Sequence, residues 1–256
     1  MTDFPPLLEL HDIRKNYGAI EALKGISFAI GKGEVVALLG DNGAGKSTLV
    51  KIISGGLEPT SGRLVFEGQD FLARSPAAAK AAGIETVYQD LSLCTNVDVV
   101  ANFFMGRELT RSVLGIPVLD EKAMEEVVAK ALASAGTRIP SLRAKVEHLS
   151  GGQRQAIELN RFVHWGGKLV LLDEPFAALG VDQTRRGLDM IRRVAAQGIG
   201  VVIITHIMQQ AFQVADRIVV IRQGVVAGNV QTRNTSPDQV IDMITGEHHA
   251  GAGAAG

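Results

Sequence analysis

One cysteine in 256 residues, Cys94, leaves no partner for an internal disulfide and fits a reducing compartment. It is read as a packing residue rather than a reactive thiol. Neither charge sign is in excess: 26 Lys plus Arg stand against 27 Asp plus Glu, for a net charge of -1. No long basic run offers a track for a phosphate backbone, so nucleic acid is not an expected partner. Long hydrophobic runs are missing as well, and none approaches the roughly 18 apolar residues that cross a bilayer. The start, Met1-Thr2-Asp3-Phe4-Pro5-Pro6, has no cationic flank leading into an apolar core. Neither export nor a membrane span is expected. The 29 glycines follow no period, which excludes a repeat protein and fits tight loops between short elements. The length suits one large domain, or a domain carrying a subdomain.

Against these absences stands Gly40-Asp41-Asn42-Gly43-Ala44-Gly45-Lys46-Ser47-Thr48, which matches G-x-x-x-x-G-K-[ST]. A short β-branched run, Glu34 to Leu39, precedes it, and a helix-compatible run, Thr48 to Ser54, comes after. Strand, loop and helix thus stand in the order a phosphate-binding loop requires. A polyanion needs converging backbone N–H groups, and glycine lets the chain curl that closely. The helix behind the loop adds unpaired N–H groups and the positive end of its dipole. Lys46 can reach β and γ phosphates and the Ser47 hydroxyl can ligate Mg²⁺, so the ligand expected is a nucleoside triphosphate, with Mg²⁺.

The pattern along the chain predicts an α/β fold. Leu7 to Lys15 and Gly25 to Ile30 alternate and read as antiparallel strands; Gly62 to Phe66 and Ile84 to Gln89 read as further strands. Ser75-Pro76 opens a short helix that Gly83 stops. From about 90 to 163 the texture turns helical, suggesting an inserted helical subdomain. Within it, Asp120 caps a helix from Glu121 to about Ala135, stopped by Gly136, with Ala123, Val127, Val128, Ala131 and Leu132 on one face. The runs 169–172, 200–204 and 218–221 are apolar throughout, as strands buried on both faces of a parallel sheet are. A helix from Asp182 to about Gln197 joins the first two, and Ser236-Pro237 opens a last one. The domain is expected to span 1–246, with the helical subdomain inserted in a nucleotide-binding core and a disordered tail over 247–256.

An acidic pair, Asp173-Glu174, ends the first of those apolar runs, where α/β sheets bind ligands. Asp173 is placed to hold the metal through its water shell and Glu174 to act as general base on the attacking water. Leu149-Ser150-Gly151-Gly152-Gln153 supplies a second phosphate-facing surface: Ser150 is a good N-cap, and the helix behind it points its positive end outward.

Together these motifs resemble the nucleotide-binding subunit of ATP-binding-cassette transporters, from about Leu7 to Gly246. The resemblance implies that Leu149 to Gln153 is the signature motif and Tyr17 the aromatic that stacks on adenine. It makes Gln89 the switch glutamine at the metal and His206 the switch histidine on the γ phosphate. It also implies a head-to-tail dimer with a second copy, in which the signature of one protomer faces the phosphate loop of the other across ATP. A separate integral-membrane permease is then expected, with the chain peripheral on the cytoplasmic face of the membrane. Gly40 to Ser47, Val87 to Cys94 and Val99 to Glu108 look like the branch importing ribose, xylose or fructose, which implies an extracellular or periplasmic sugar-binding protein as an indirect partner. In importers the segment after the switch glutamine receives the permease, which marks Asp90 to Arg107 as the docking surface. The alternatives are a cassette for another substrate and a cytosolic assembly-scaffold ATPase. Phe176 stands where Ser or Thr is common, Gly180 where many cassettes have aspartate, and Asn160 where a small residue is usual. Trp165 is read as core packing.

Overall fold

The computed structural model describes residues 4–87, 93–134, 137–165, 167–176 and 180–246. Its elements run β1 (Pro6–Tyr17), β2 (Ile20–Gly31), β3 (Val35–Leu39), α1 (Lys46–Ile53), β4 (Ser61–Phe66), β5 (Gln69–Phe71), α2 (Pro76–Ala82) and β6 (Ile84–Val87). Next come α3 (Val99–Phe104), β7 (Thr110–Val113), β8 (Ile116–Leu119), α4 (Glu121–Ser134), α5 (Gly151–His164) and β9 (Leu169–Asp173). The chain closes with α6 (Val181–Ala195), β10 (Gly200–Ile204), α7 (Met208–Val214), β11 (Arg217–Arg222), β12 (Val225–Gln231) and α8 (Pro237–Thr245).

A six-stranded sheet in the order β12-β11-β3-β10-β9-β6 forms the centre, parallel except for the edge strand β12. β3 and β10 are buried at every position, as the unbroken apolar runs required. One side chain set of these strands packs towards α1 and the four-stranded sheet β2-β1-β4-β5, the other towards α6, α7 and α8. Helix ends match their sequence signals. Ser75 Oγ accepts from Ala78 N, and Gly83 adopts φ 95° after α2; Ser236 and Gln239 form a reciprocal capping box before α8.

The two sheets are also joined by a buried ion pair. Arg217 on β11 donates Nε to Glu34 Oε1 at 2.7 Å and Nη2 to Glu34 Oε2 at 3.0 Å, with further bonds to Ala29 O and Asn229 Oδ1. Glu34 also accepts from Gly31 N at 2.7 Å. The carboxylate is 1% exposed and the arginine 6%.

Between β6 and β9 the described residues form a third apolar cluster of α3, α4 and α5 side chains. Met124, Val128 and Leu132 fill its α4 face, with Ala123, Val127 and Ala131 only partly buried. Two expectations for this region need correction. It is not helical throughout, because β7 and β8 form an exposed antiparallel hairpin turning at Leu114-Gly115, both at positive φ. Cys94 is exposed rather than packed, its Sγ lying 3.8 Å from Met105 Sδ. Trp165 is partly buried as expected: it meets Phe104 edge-on at 5.4 Å and donates Nε1 to Phe103 O at 3.1 Å. Asn160 gains a physical account, since its buried amide bonds Ala156 O at 2.7 Å on its own helix and Thr137 Oγ1 at 3.4 Å. Phe176 is also structural: it is 2% exposed and lies so close to Gly187 that a Cβ there would collide with its ring. The expected helix stop at Gly136 and the tail 247–256 lie outside the described residues.

Candidate functional site

The strand order puts three chain reversals side by side, because β10 pairs in parallel with both β3 and β9. Ile204 lies level with Leu38 on one side and Asp173 on the other, so the phosphate loop, the acidic pair and the turn carrying His206 leave the sheet at the same end. That is the carboxyl end of the strands, where parallel sheets bind ligands. A cleft of about 450 Å³ opens there, lined by Asn42, Gly43, Gly45, Lys46, Ser47, Thr48, Asp173 and Glu174, with Ala22 and Ile204 as apolar wall.

Three glycines of the loop differ in what they do. Gly40 at φ 145° lies against the Ile221 carbonyl, and Gly45 at φ 111° leaves a Cβ only 2.9 Å from Ala22 O. Gly43, at φ 80°, has open space beside it. The first two fit the loop between its neighbours and the third bares the backbone towards the cleft. Ala44 is buried and pins the loop to the core, while its N–H bonds Asp41 O at 3.1 Å. Gly40→Ala is expected to cost at least about 1–3 kcal/mol in backbone strain, beyond the collision, and to abolish ATP binding. Thermal unfolding with and without nucleotide checks this; a variant that binds ATP normally would show that the loop tolerates the displacement.

Lys46 starts α1 and folds over the loop, donating Nζ to Gly40 O at 2.6 Å and Asp41 O at 2.9 Å. Burial pulls its ammonium below the ordinary lysine range, opposed by Glu174, Asp41 and Asp173 nearby. Burial likewise raises the Asp173 carboxyl, and the Glu174 charge adds to the rise, while Lys46 and Lys51 oppose it. A desolvated carboxylate beside a second one is relieved by a cation, and the Ser47 hydroxyl lines the same cleft. Among the described residues no cluster of three or more His, Cys, Asp or Glu could hold a metal alone. A carboxylate and a hydroxyl on one cleft wall are oxygen donors of the kind Mg²⁺ takes when it is shared with phosphate oxygens.

Glu174 sits at φ 50°, held by its N–H to Ile204 O at 2.9 Å. A non-glycine residue there is uncommon and places the side chain across the end of β10. His206 Nδ1 lies 2.9 Å from Glu174 Oε1. An ionised carboxylate only accepts, so in this contact it is Nδ1 that donates. His206 is placed by two neighbours that the sequence did not signal: Thr205 and Gln210, both buried, bond each other at 3.1 Å, and Thr205 Oγ1 accepts from Ile207 N at 3.0 Å.

The remaining expected site residues are elsewhere. Ser150 caps α5 reciprocally with Gln153, its N–H bonding Gln153 Oε1 at 3.0 Å while its Oγ accepts from Gln153 N at 3.3 Å. Ser150, Gly152 and Gln153 line a separate cavity of about 740 Å³ against α6, and none of its residues lines the phosphate-loop cleft. Tyr17 ends β1 in the hairpin whose second strand supplies Ala22; it is 48% exposed, with Lys15 Nζ 5.5 Å from its ring centre. Gly180 precedes α6, and a Cβ there would meet no atom of the described residues within 4 Å, so they impose no glycine at this position. Gln89 lies outside the described residues.

Comparison with known proteins agrees with this geometry. Residues 23–177 match the ABC transporter family. The chain is 46% identical over 239 residues to the xylose/arabinose import ATP-binding protein of Sulfolobus acidocaldarius, covering 93% of this chain and 94% of that protein. It is 39% identical over 245 residues to the fructose import ATP-binding protein of Rhizobium meliloti, covering 94% of each. A ribose import ATP-binding protein of Yersinia pestis is 34% identical, and there the match covers 94% of this chain but 46% of the relative. A solved ATP-binding cassette of an ABC transporter in its ADP conformation has a TM-score of 0.78 at 26% identity, covering 94% of this chain and 99% of that one. The family match over residues 23–177 and the relatives matched over nearly their whole length show that the chain belongs to the ABC transporter family, as one of its ATP-hydrolysing cassettes.

Proposed function

We propose that the chain drives uptake of a monosaccharide through a separate permease, binding ATP and Mg²⁺ at the phosphate-loop cleft. The observation that carries the site assignment is the convergence of Lys46, Asp173 and Glu174 on one cleft, with His206 bonded to Glu174, while Ser150, Gly152 and Gln153 line another. Lys46 and the loop N–H groups hold the phosphates, Ser47 and Asp173 hold Mg²⁺ with Gln89, and Tyr17 covers the base. Glu174 takes the proton of the attacking water, its carboxylate oriented by His206. For His206 also to donate Nε2 to the γ phosphate, the ring must be doubly protonated. Mg²⁺ would stabilise charge on the phosphate oxygens. The signature surface completes the site of a second copy, so two chains enclose two ATP molecules head to tail.

The permease contact is assigned to the end of α3 and the residues just after it. Phe103, Met105 and Arg107 line a small cleft with Trp165 of the α5 end and Lys80 and Glu85 of the core, and Arg107 lies 4.9 Å from the Trp165 ring centre. No helix among the described residues is long and apolar enough to cross a membrane, which suits a subunit held at the cytoplasmic face by that contact. Residues 1–246 form the ATPase domain, with the helical subdomain inserted at about 90–163. The choice of a sugar rests on the relatives named for xylose/arabinose and fructose import, matched over 94% of their lengths. Uptake of labelled xylose, arabinose, fructose and ribose tests it, in cells lacking the chain and resupplied with it or with Lys46→Ala. At least one sugar should enter with the wild type only; equal uptake of all four in every strain would refute the reading.

A further inference from the structure

Every residue from Met105 to Leu119 is exposed, and Leu114 at the turn of the β7-β8 hairpin is 99% exposed. The hairpin is nonetheless mostly apolar. From Val113 to Leu119 no side chain is polar, and Arg111 is the only charged residue of either strand. Register sets Arg111 opposite Val118 and Val113 opposite Ile116. Alternation then places these four on one face, with the arginine towards the base and Leu114 beyond them at the tip.

Folding does not account for Leu114. It sits at φ 53° and Gly115 at φ 82°, the paired positive values of a type I′ turn, for which asparagine followed by glycine is the favoured sequence. A bulky aliphatic residue in the left-handed region carries a backbone cost, and this one recovers none of it by packing. Such strain points to something outside the chain that takes up the side chain.

The hairpin is held in place at its neck. Asp120 N bonds Leu109 O at 2.8 Å, and Asp120 Oδ1 accepts from Ala123 N at the start of α4. Its base lies next in sequence to Met105 and Arg107, which line the cleft assigned to the permease. Pro117 gives β8 no N–H at that position, which disfavours pairing with a strand of a second copy.

We propose that the β7-β8 tip enters the headgroup layer of an anionic bilayer, with Val113, Leu114 and Ile116 reaching the hydrocarbon and Arg111 meeting lipid phosphates. A protruding apolar tip with a cation behind it matches that layering. A protein partner would be selected by polar side chains at defined positions, and the tip has none. The hairpin's direction towards the bilayer rests on the permease contact proposed above; its affinity for lipid needs no permease and is measured without one.

The test is co-sedimentation of the full chain with vesicles of phosphatidylglycerol and phosphatidylcholine, and with vesicles of phosphatidylcholine alone. Saturable binding to the mixed vesicles is expected, with weaker binding to the neutral ones. Leu114→Asn should weaken binding at least about tenfold, as withdrawal of one large apolar side chain from hydrocarbon predicts. Asparagine suits this turn, so Tm should not fall, which separates a lost lipid contact from a lost hairpin. Arg111→Gln should reduce the preference for the mixed vesicles. In Leu114→Trp, lipids brominated along the acyl chain should quench the emission more than in the wild type, whose single tryptophan is Trp165. No binding to either vesicle, undiminished binding by Leu114→Asn, or no added quenching in Leu114→Trp would overturn the proposal. The labelled-sugar experiment judges the transport reading separately.

Discussion

Glu174→Gln should bind ATP as tightly as the wild type while its turnover falls by about 10²–10⁴-fold, the range expected for removal of a general base. The substitution keeps the shape of a side chain whose backbone is already placed at φ 50° and tied to Ile204 O. It also keeps a carbonyl-type oxygen that can accept from His206 Nδ1, now 2.9 Å away. What it removes is the basic oxygen proposed to take the proton, together with a negative charge beside Asp173. Burial is the main reason the Asp173 carboxyl lies above its ordinary value and the Glu174 charge adds to it, so losing that charge eases the smaller part of the rise, and ATP should bind no more weakly. Phosphate release and nucleotide binding, measured on one preparation, separate the two effects. Undiminished phosphate release would remove Glu174 from the role of base.

Arg217→Met is the largest stability effect expected away from the ATP cleft. It leaves Glu34 at 1% exposure with only the Gly31 N–H for company, and an uncompensated buried charge costs about 3–5 kcal/mol. In a chain this long that corresponds to a fall in Tm of roughly 6–20 °C, at about 2–4 °C per kcal/mol. The pair also joins β2 to β11 through Arg217 Nη2 and Ala29 O, so the loss should be felt where the antiparallel sheet meets the parallel one. Replacing both partners with methionine should recover most of the stability, since apolar groups of similar volume often substitute for a buried pair at little cost. Thermal or denaturant unfolding of the two variants checks this. An unchanged Tm for Arg217→Met would mean that water reaches Glu34.

What the sequence made legible was what local chemistry dictates. A phosphate loop needs its glycines and its lysine within nine consecutive residues, and a short apolar run rich in β-branched residues reads as a strand buried on both faces; both rules placed β3, β9 and β10 correctly. Caps were equally readable at Ser75, Asp120 and Ser236. The hairpin β7-β8 was not, because its turn uses Leu114 at φ 53° in place of the asparagine or aspartate that usually marks such turns, and its short strands bury nothing. Helix α7 begins after Ile207 with no side-chain cap, so nothing announced it. Contacts between distant positions were hidden for another reason. Glu34 and Arg217 lie 183 residues apart, and Phe176 needs the bare Cα of Gly187; neither relation leaves a local pattern. At the cleft, Asp173 and Glu174 were expected from the acidic end of an apolar run and His206 from the family resemblance, and the structure brings His206 and Glu174 together; Thr205 and Gln210 beside His206 look like ordinary polar residues at a strand end.

In the proposed assembly one chain carries two half-sites, the phosphate-loop cleft and the surface of Ser150, Gly152 and Gln153, and a second copy brings them together. The most direct measurement is the solution mass of Glu174→Gln protein with and without ATP and Mg²⁺. A shift from monomer to dimer on adding ATP is the predicted result, reversed when the signature is disabled by Ser150→Arg. A monomer that demonstrably holds ATP but never pairs would contradict the composite site and the transport cycle built on it.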